Sequence, residues 1–173
     1  MNSAFRRPVQ MVLAIVVSAL SLGCDPSGKA YEDPRLARLK PGESTEQEVR
    51  KLFGNPEAVR DVPGGKGLVY PLGPEGPYTL LITIGADGKY QGRENLLTRP
   101  NFEKVYPGMK QVQVLALLGR PGSTQSYRLK QQVGWEWRFL DNPDTRVFVV
   151  TFDAAGAVVS TAIEEDPRKN AGR

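Results

Sequence analysis

The chain has 173 residues, of which 40% are hydrophobic and 24% charged, an ordinary composition for one or two small folded domains. Its formal charge is +4, which falls to +2 if Arg6 and Arg7 leave with a cleaved leader. No run of lysine and arginine is present, so nucleic acid is excluded as a partner. The chain contains no histidine, which removes the commonest general base, metal ligand and pH switch together.

Arg6 and Arg7 form a basic start, and Met11 to Leu22 an apolar run of 12 residues. That run is short for a bilayer span and right for a secretory signal, expected over residues 1–23. It ends at Leu20-Ser-Leu-Gly-Cys24 with the single cysteine of the chain. These residues resemble the bacterial lipobox. The resemblance implies cleavage before Cys24 and acylation of it, so that membrane lipid becomes the first partner. Buried acyl chains contribute about 0.8 kcal/mol per methylene, enough for a lasting anchor with two or three chains. Asp25 resembles a retention signal for the inner membrane. Localisation is therefore expected in a bacterial envelope, lipid-anchored and facing the periplasm, with the outer membrane favoured and the inner one open. Residues 24–32 read as a tether.

From Asp33 the chain says nearly the same thing twice. Asp33-Pro34 offers an N-cap and a proline at N1, followed by Leu36, Leu39 and Pro41-Gly42. A second helix opens at Ser44 or Thr45, with capping boxes to Gln47 or Glu48 respectively. Val49, Leu52 and Phe53 form its buried stripe, and Gly54 and Pro56 stop it. Strands are expected at Ala58 to Val62, Leu68 to Leu72, Tyr78 to Ile84 and Lys89 to Asn95, with Asp87-Gly88 as a two-residue hairpin turn.

Arg99-Pro100 marks the boundary to the second copy. Phe102, Val105 and Tyr106 form its short apolar helix side. Val114, Leu117 and Leu118 answer Val49, Leu52 and Phe53, with Met109, Val112 and Leu115 expected to widen the stripe. Strands are expected at Ser126 to Lys130, Gly134 to Phe139, Arg146 to Phe152 and Ala157 to Ile163. Asp153 to Gly156 reads as a turn with glycine at positive φ. Gly42 and Gly108 stand 66 apart, Gly54 and Gly119 65, Gly67 and Gly134 67, Gly88 and Gly156 68. Four landmarks at near-constant offset, in order, argue for tandem duplication: repeats at 33–98 and 99–165, then a flexible tail at 166–173.

The run Pro107-Gly-Met109…Val114-x-x-Leu117-Leu118-Gly119-x-Pro121, then Trp135-x-Trp137, then Val149 to Gly156, resembles the SmpA/OmlA (BamE-like) family of small outer-membrane lipoproteins. The position after the methionine, usually threonine in the family, is Lys110 here. A tandem pair of such units is similar to the β-lactamase inhibitory protein. The resemblance implies an α+β fold, a tandem repeat of a helix-helix-strand-meander unit with three or four antiparallel strands. It also implies a non-enzymatic binding or scaffold role in assembly of outer-membrane β-barrel proteins, with the β-barrel assembly machinery among its envelope partners. The alternative is a proteinaceous inhibitor or regulator of a periplasmic enzyme. A hydrolase built on Glu164 and Glu165 is a poor third, since nothing near them is expected to shift their acidity. No catalytic, cofactor-binding or metal-ligating residues are expected, and no cofactor. Trp135, Trp137, Val147 and Val149 are the candidate partner contacts, weighed against core packing for the two tryptophans.

Overall fold

A computed structural model describes residues 33–73, 76–142 and 144–170. The expected signal, Cys24 and the tether lie outside these residues. The fold is α+β, with two four-stranded antiparallel sheets, each a simple meander. The first unit comprises a 3-10 turn Leu36–Arg38, helix α1 (Glu46–Phe53) and strands β1 (Ala58–Val62), β2 (Gly65–Pro71), β3 (Thr79–Gly85) and β4 (Tyr90–Asn95). The second comprises α2 (Arg99–Phe102), α3 (Gln111–Leu118), β5 (Ser123–Tyr127), β6 (Gln132–Asp141), β7 (Asp144–Phe152) and β8 (Val158–Glu165).

The duplication extends to single hydrogen bonds. Gly42 N–H donates to Tyr90 O at 2.8 Å, and Gly108 N–H to Val158 O at 2.8 Å. Tyr90 N–H donates back to Ser44 O at 2.8 Å, and Val158 N–H to Met109 O at 2.9 Å. Glu46 N–H reaches Gly88 O, and Gln111 N–H reaches Gly156 O, both at 3.1 Å. The long helix of each unit is thus pinned at its start to the last strand. At its end, Tyr70 Oη donates to Gly54 O at 3.1 Å, and Trp137 Nε1 donates to Gly119 O at 3.2 Å. Both aromatic side chains sit mid-sheet with an apolar body in the core and a polar edge that satisfies a helix-terminal carbonyl.

Each sheet buries one face under its own helices. Leu36, Leu39, Val49, Leu68, Tyr70, Leu80, Ile82, Ile84 and Tyr90 form the first core. Their counterparts in the second core are Phe102, Val105, Val114, Trp137, Phe148, Val150, Phe152 and Val158, joined by Phe139 and Leu118. Aromatic pairs fill the second core: Phe102 stacks on Phe148 at 4.2 Å and meets Phe139 edge-on at 4.7 Å.

Several local expectations are refined. Thr45, not Ser44, caps α1: its Oγ1 accepts from Glu48 N–H at 3.3 Å while Glu48 Oε2 accepts from Thr45 N–H at 2.7 Å. Lysine has no acceptor, so α3 keeps only half of that box, Gln113 Oε1 accepting from Lys110 N–H at 2.8 Å. The β3–β4 hairpin is not a two-residue turn. Gly85 N–H bonds Lys89 O at 2.8 Å, which closes a three-residue loop with Gly88 at φ 75°. Asp153 N–H bonds Ala157 O at 2.9 Å, giving the β7–β8 loop the same shape with Gly156 at φ 69°. The strand expected at Ser126 to Lys130 lies earlier, as β5, and a 3-10 turn Arg128–Lys130 follows it.

The units meet through α3. Its Val114 and Leu118 face its own sheet. Its C-terminal end lies on the outer face of the first sheet, where a Cβ added to Gly119 would stand 2.9 Å from Thr79 Cγ2 and 3.5 Å from Val69 Cγ1. Val69, Leu81 and Leu96 form the apolar patch on that face. Arg60 of β1 donates to Ala116 O, and Arg120 Nε pairs with Glu57 at 3.0 Å. Asn95 fixes the connection: its Oδ1 accepts from Thr79 N–H at 3.2 Å and Leu97 N–H at 3.1 Å. Leu96 then belongs to the first unit's outer face and Leu97 to the second unit's core.

Candidate binding surface

Two of the four candidate contacts are core-facing. Trp137 is 1% exposed and belongs to the second core, so it has no surface to offer. Trp135, two residues along the same face, is partly buried against Phe152 at a ring distance of 4.7 Å. Val147 and Val149 lie on the opposite, outer face of β7, as expected from alternation, but are only 6% and 9% exposed. Neighbouring strands and the C-terminal segment account for this. Val147 pairs with Arg138 and Glu164, and Val149 with Glu136 and Ala162.

Asp166, expected in a flexible tail, is 5% exposed and holds Arg138 by two bonds, 2.6 Å to Nε and 2.9 Å to Nη2. A short 3-10 turn, Pro167–Asn170, follows it. Sequence reasoning missed this strap because a lone aspartate after two glutamates looks solvated. Its partner stands 28 residues away on β6. The recess beside the strap, about 200 Å³, is lined by Gly122, Ser123, Glu136, Arg138, Val147 and Arg168. Ser123 Oγ donates to Glu136 Oε2 at 2.7 Å, and Arg138 is committed to Asp166. The recess is therefore polar but internally satisfied. It offers shape rather than free reactive groups.

A second, shallower groove of about 430 Å³ crosses the uncovered part of the first sheet's outer face, between Val62, Pro63 and Leu81 on one side and Gln91 to Glu94 on the other. Sequence alternation places Leu81 there, but not which part α3 leaves bare.

The exposed apolar side chains lie elsewhere. Val112 is 70% exposed, Tyr106 57% and Leu115 39%, whereas Val112 and Leu115 were expected to widen the buried stripe. The reason is geometric: α3 meets the first sheet only at its C-terminal end, so the N-terminal half of that helix face overhangs. Leu129, between Arg128 and Lys130, is 103% exposed at the β5–β6 tip, where Gln131 takes a left-handed φ of 51°.

Ionisable groups are tuned by ion pairs. Hydrogen bonds from Lys66 and Arg50 hold the Glu46 carboxyl below its usual range, and those from Arg99 do the same for Asp141. Burial pushes the Tyr70 and Tyr90 hydroxyls up. Among the described residues, no group of histidine, cysteine, aspartate and glutamate side chains is arranged to hold a metal ion. No described helix is long and apolar enough to cross a membrane.

Residues 94–162 match the family model of the outer membrane protein assembly factor BamE domain. No curated protein matches the chain. Among solved structures, the osmotically inducible lipoprotein OsmE is 26% identical with a TM-score of 0.36, over 39% of this chain and 72% of that one. The DUF4309 family protein YjgB from Bacillus subtilis is 12% identical with a TM-score of 0.29, over 74% of this chain and 82% of its own. A β-lactamase inhibitor protein from Streptococcus mutans is 11% identical with a TM-score of 0.32, over 78% of this chain and 98% of its own. The second unit, over residues 94–162, is thus BamE-like in sequence, and the first unit repeats its helix-to-strand hydrogen bonds.

Proposed function

We propose that this chain is a membrane-anchored, non-enzymatic binding lipoprotein of the bacterial envelope, acting in assembly of outer-membrane β-barrel proteins. The match of residues 94–162 to the BamE assembly-factor domain carries the reading. The architecture supports it. The recess beside the Asp166 strap is internally satisfied, while apolar side chains of α3 and its approach, Val112, Leu115 and Tyr106, face solvent in a setting suited to a protein contact. Cys24 supplies the anchor, with the outer membrane as its proposed destination and Asp25 as the feature that argues for the inner one.

Affinity capture of the lipidated chain from cross-linked envelopes tests the role. Recovery of the barrel-insertion machinery is expected. Recovery of one soluble periplasmic enzyme at equal stoichiometry would replace assembly with inhibition. Palmitate labelling of the wild type and its loss in Cys24→Ala tests the anchor separately.

A further inference from the structure

The two sheets have four edges, and three of them carry the features that discourage strand addition. β1 contains Arg60 and Asp61 and is followed by Pro63, β4 contains Gly92, Arg93 and Glu94, and β5 is five polar and aromatic residues long. The edge of β8 is different. It is eight residues long, and Val158 to Ile163 contains no charge, no proline and no glycine, with two valines, a threonine and an isoleucine. Residues 159–162 are exposed.

Its open backbone groups follow from the register. Asp153 N–H bonds Ala157 O, so the pairs Val149–Ala162 and Val147–Glu164 hold the alternating bonds to β7. Val158 points the other way and is already taken by Gly108 and Met109. Beyond the irregularity at Thr151/Phe152, the N–H and C=O of Thr161 and Ile163 therefore face outward. Thr161 and Ile163 thus stand on the outer edge of the β5-β6-β7-β8 sheet. Side-chain charge adds direction. Glu165 is paired with Arg146 at 3.0 Å, whereas Glu164 makes no ion pair among the described residues.

We propose that the β8 edge accepts, as an added antiparallel strand, an extended segment of a partner protein that is rich in β-branched residues and carries a cation where it meets Glu164. Main-chain bonds to Thr161 and Ile163 supply the attachment, and Glu164 selects the register. A second copy of the chain fits less well, because its own Val158 to Ile163 brings no cation to Glu164. The inference rests on the proposed binding role and names the chemistry of its partner: an unpaired strand, the form a β-barrel protein takes before its sheet closes.

The test uses the full chain in detergent and two synthetic peptides, Lys-Lys-Val-Thr-Val-Thr-Val and the same peptide with both lysines replaced by glutamate, with binding read by fluorescence anisotropy. The lysine peptide is expected to bind saturably, at least ten-fold more tightly than the glutamate one. Thr161→Pro removes an outward N–H that β7 does not use, so the sheet survives and binding is lost. Circular dichroism checks that survival. Glu164→Lys reverses the preference between the peptides. No binding of either peptide, binding unchanged in a folded Thr161→Pro, or sedimentation showing a dimer that this variant dissolves would each overturn the proposal. Envelope capture of the barrel machinery by Thr161→Pro at wild-type yield would overturn the strand-addition site while leaving the assembly role intact.

Discussion

The two units share every inward constraint and differ in what they do outward. Each pins its long helix to its last strand with three matching bonds and plugs the helix end with an aromatic donor. On the outer sheet face the first unit presents Val69, Leu81 and Leu96, partly covered by α3 of the second. The second unit presents Glu136, Arg138 and two valines, flanked by its own Asp166 strap. Packing geometry held the interior of both copies to one solution. The outer faces, free of that demand, diverged into a seam between units in one case and a charged face in the other.

Deleting the aromatic plug is the largest way to probe the shared interior. Trp137→Ala is expected to cost about 3–5 kcal/mol, the range for a large buried aromatic, and Tyr70→Ala toward the lower end of it. Because α3 belongs to one core and lies on the other unit, both variants should lower a single thermal transition. Two separated transitions, one unmoved by Trp137→Ala, would show that the units melt independently.

The seam is tested by a pair of glycines at equivalent helix ends. Gly54 has φ 82° and Gly119 φ 76°, both with extended ψ, a region open mainly to glycine. Gly54→Ala meets nothing within 4 Å, while Gly119→Ala meets Thr79 at 2.9 Å. Backbone strain of about 1–3 kcal/mol applies to both, so the excess loss in Gly119→Ala reports the contact between units. Equal losses in urea melts would mean that the seam yields freely.

Much of the interior was legible in sequence because local chemistry decides it. Ser44 and Thr45, with Gln47 and Glu48, announce the helix start to within one residue, Gly54 and Pro56 its end, and the Val49/Val114 and Ile82/Val150 positions follow from periods of 3.6 and 2. Val112 and Leu115 were misjudged because apolar residues at helical spacing show that a face exists, not how far the neighbouring sheet extends beneath it. Asp166 was missed because an ion pair with Arg138 depends on where a strand ends in space. Val147 and Val149 were assigned to the correct face, but how much of that face remains open is set by those same neighbours.

Smaller effects sharpen the likeness of the helix ends. Tyr70→Phe keeps the ring packed and removes only the bond to Gly54 O, so about 0.5–1.5 kcal/mol should be lost. If chemical denaturation shows no change, water replaces the phenol at that carbonyl, and the match with Trp137 is one of shape alone.

The smallest expected effect separates the entries to the two units. In the first, Arg35 folds back on Asp33 and lies 4.3 Å over the Phe53 ring, a local clasp. In the second, Arg99 at the start of α2 reaches Asp141 at the end of β6 with bonds of 2.8 and 2.6 Å, tying helix to sheet. The Arg99 guanidinium holds the Asp141 carboxyl below its ordinary value of 3.8. A carboxyl with a depressed folded pKa contributes stability that is complete above the unfolded value and is lost as pH falls through the folded one. Asp141→Asn should therefore lower Tm slightly at pH 7, and the gap to wild type should close as the pH is taken well below 3.8. Arg99 is 52% exposed, so salt should narrow the same gap at neutral pH. A gap that persists in acid would mean that Asp141 acts through packing rather than through its charge, which pairs with both Arg99 and Arg146.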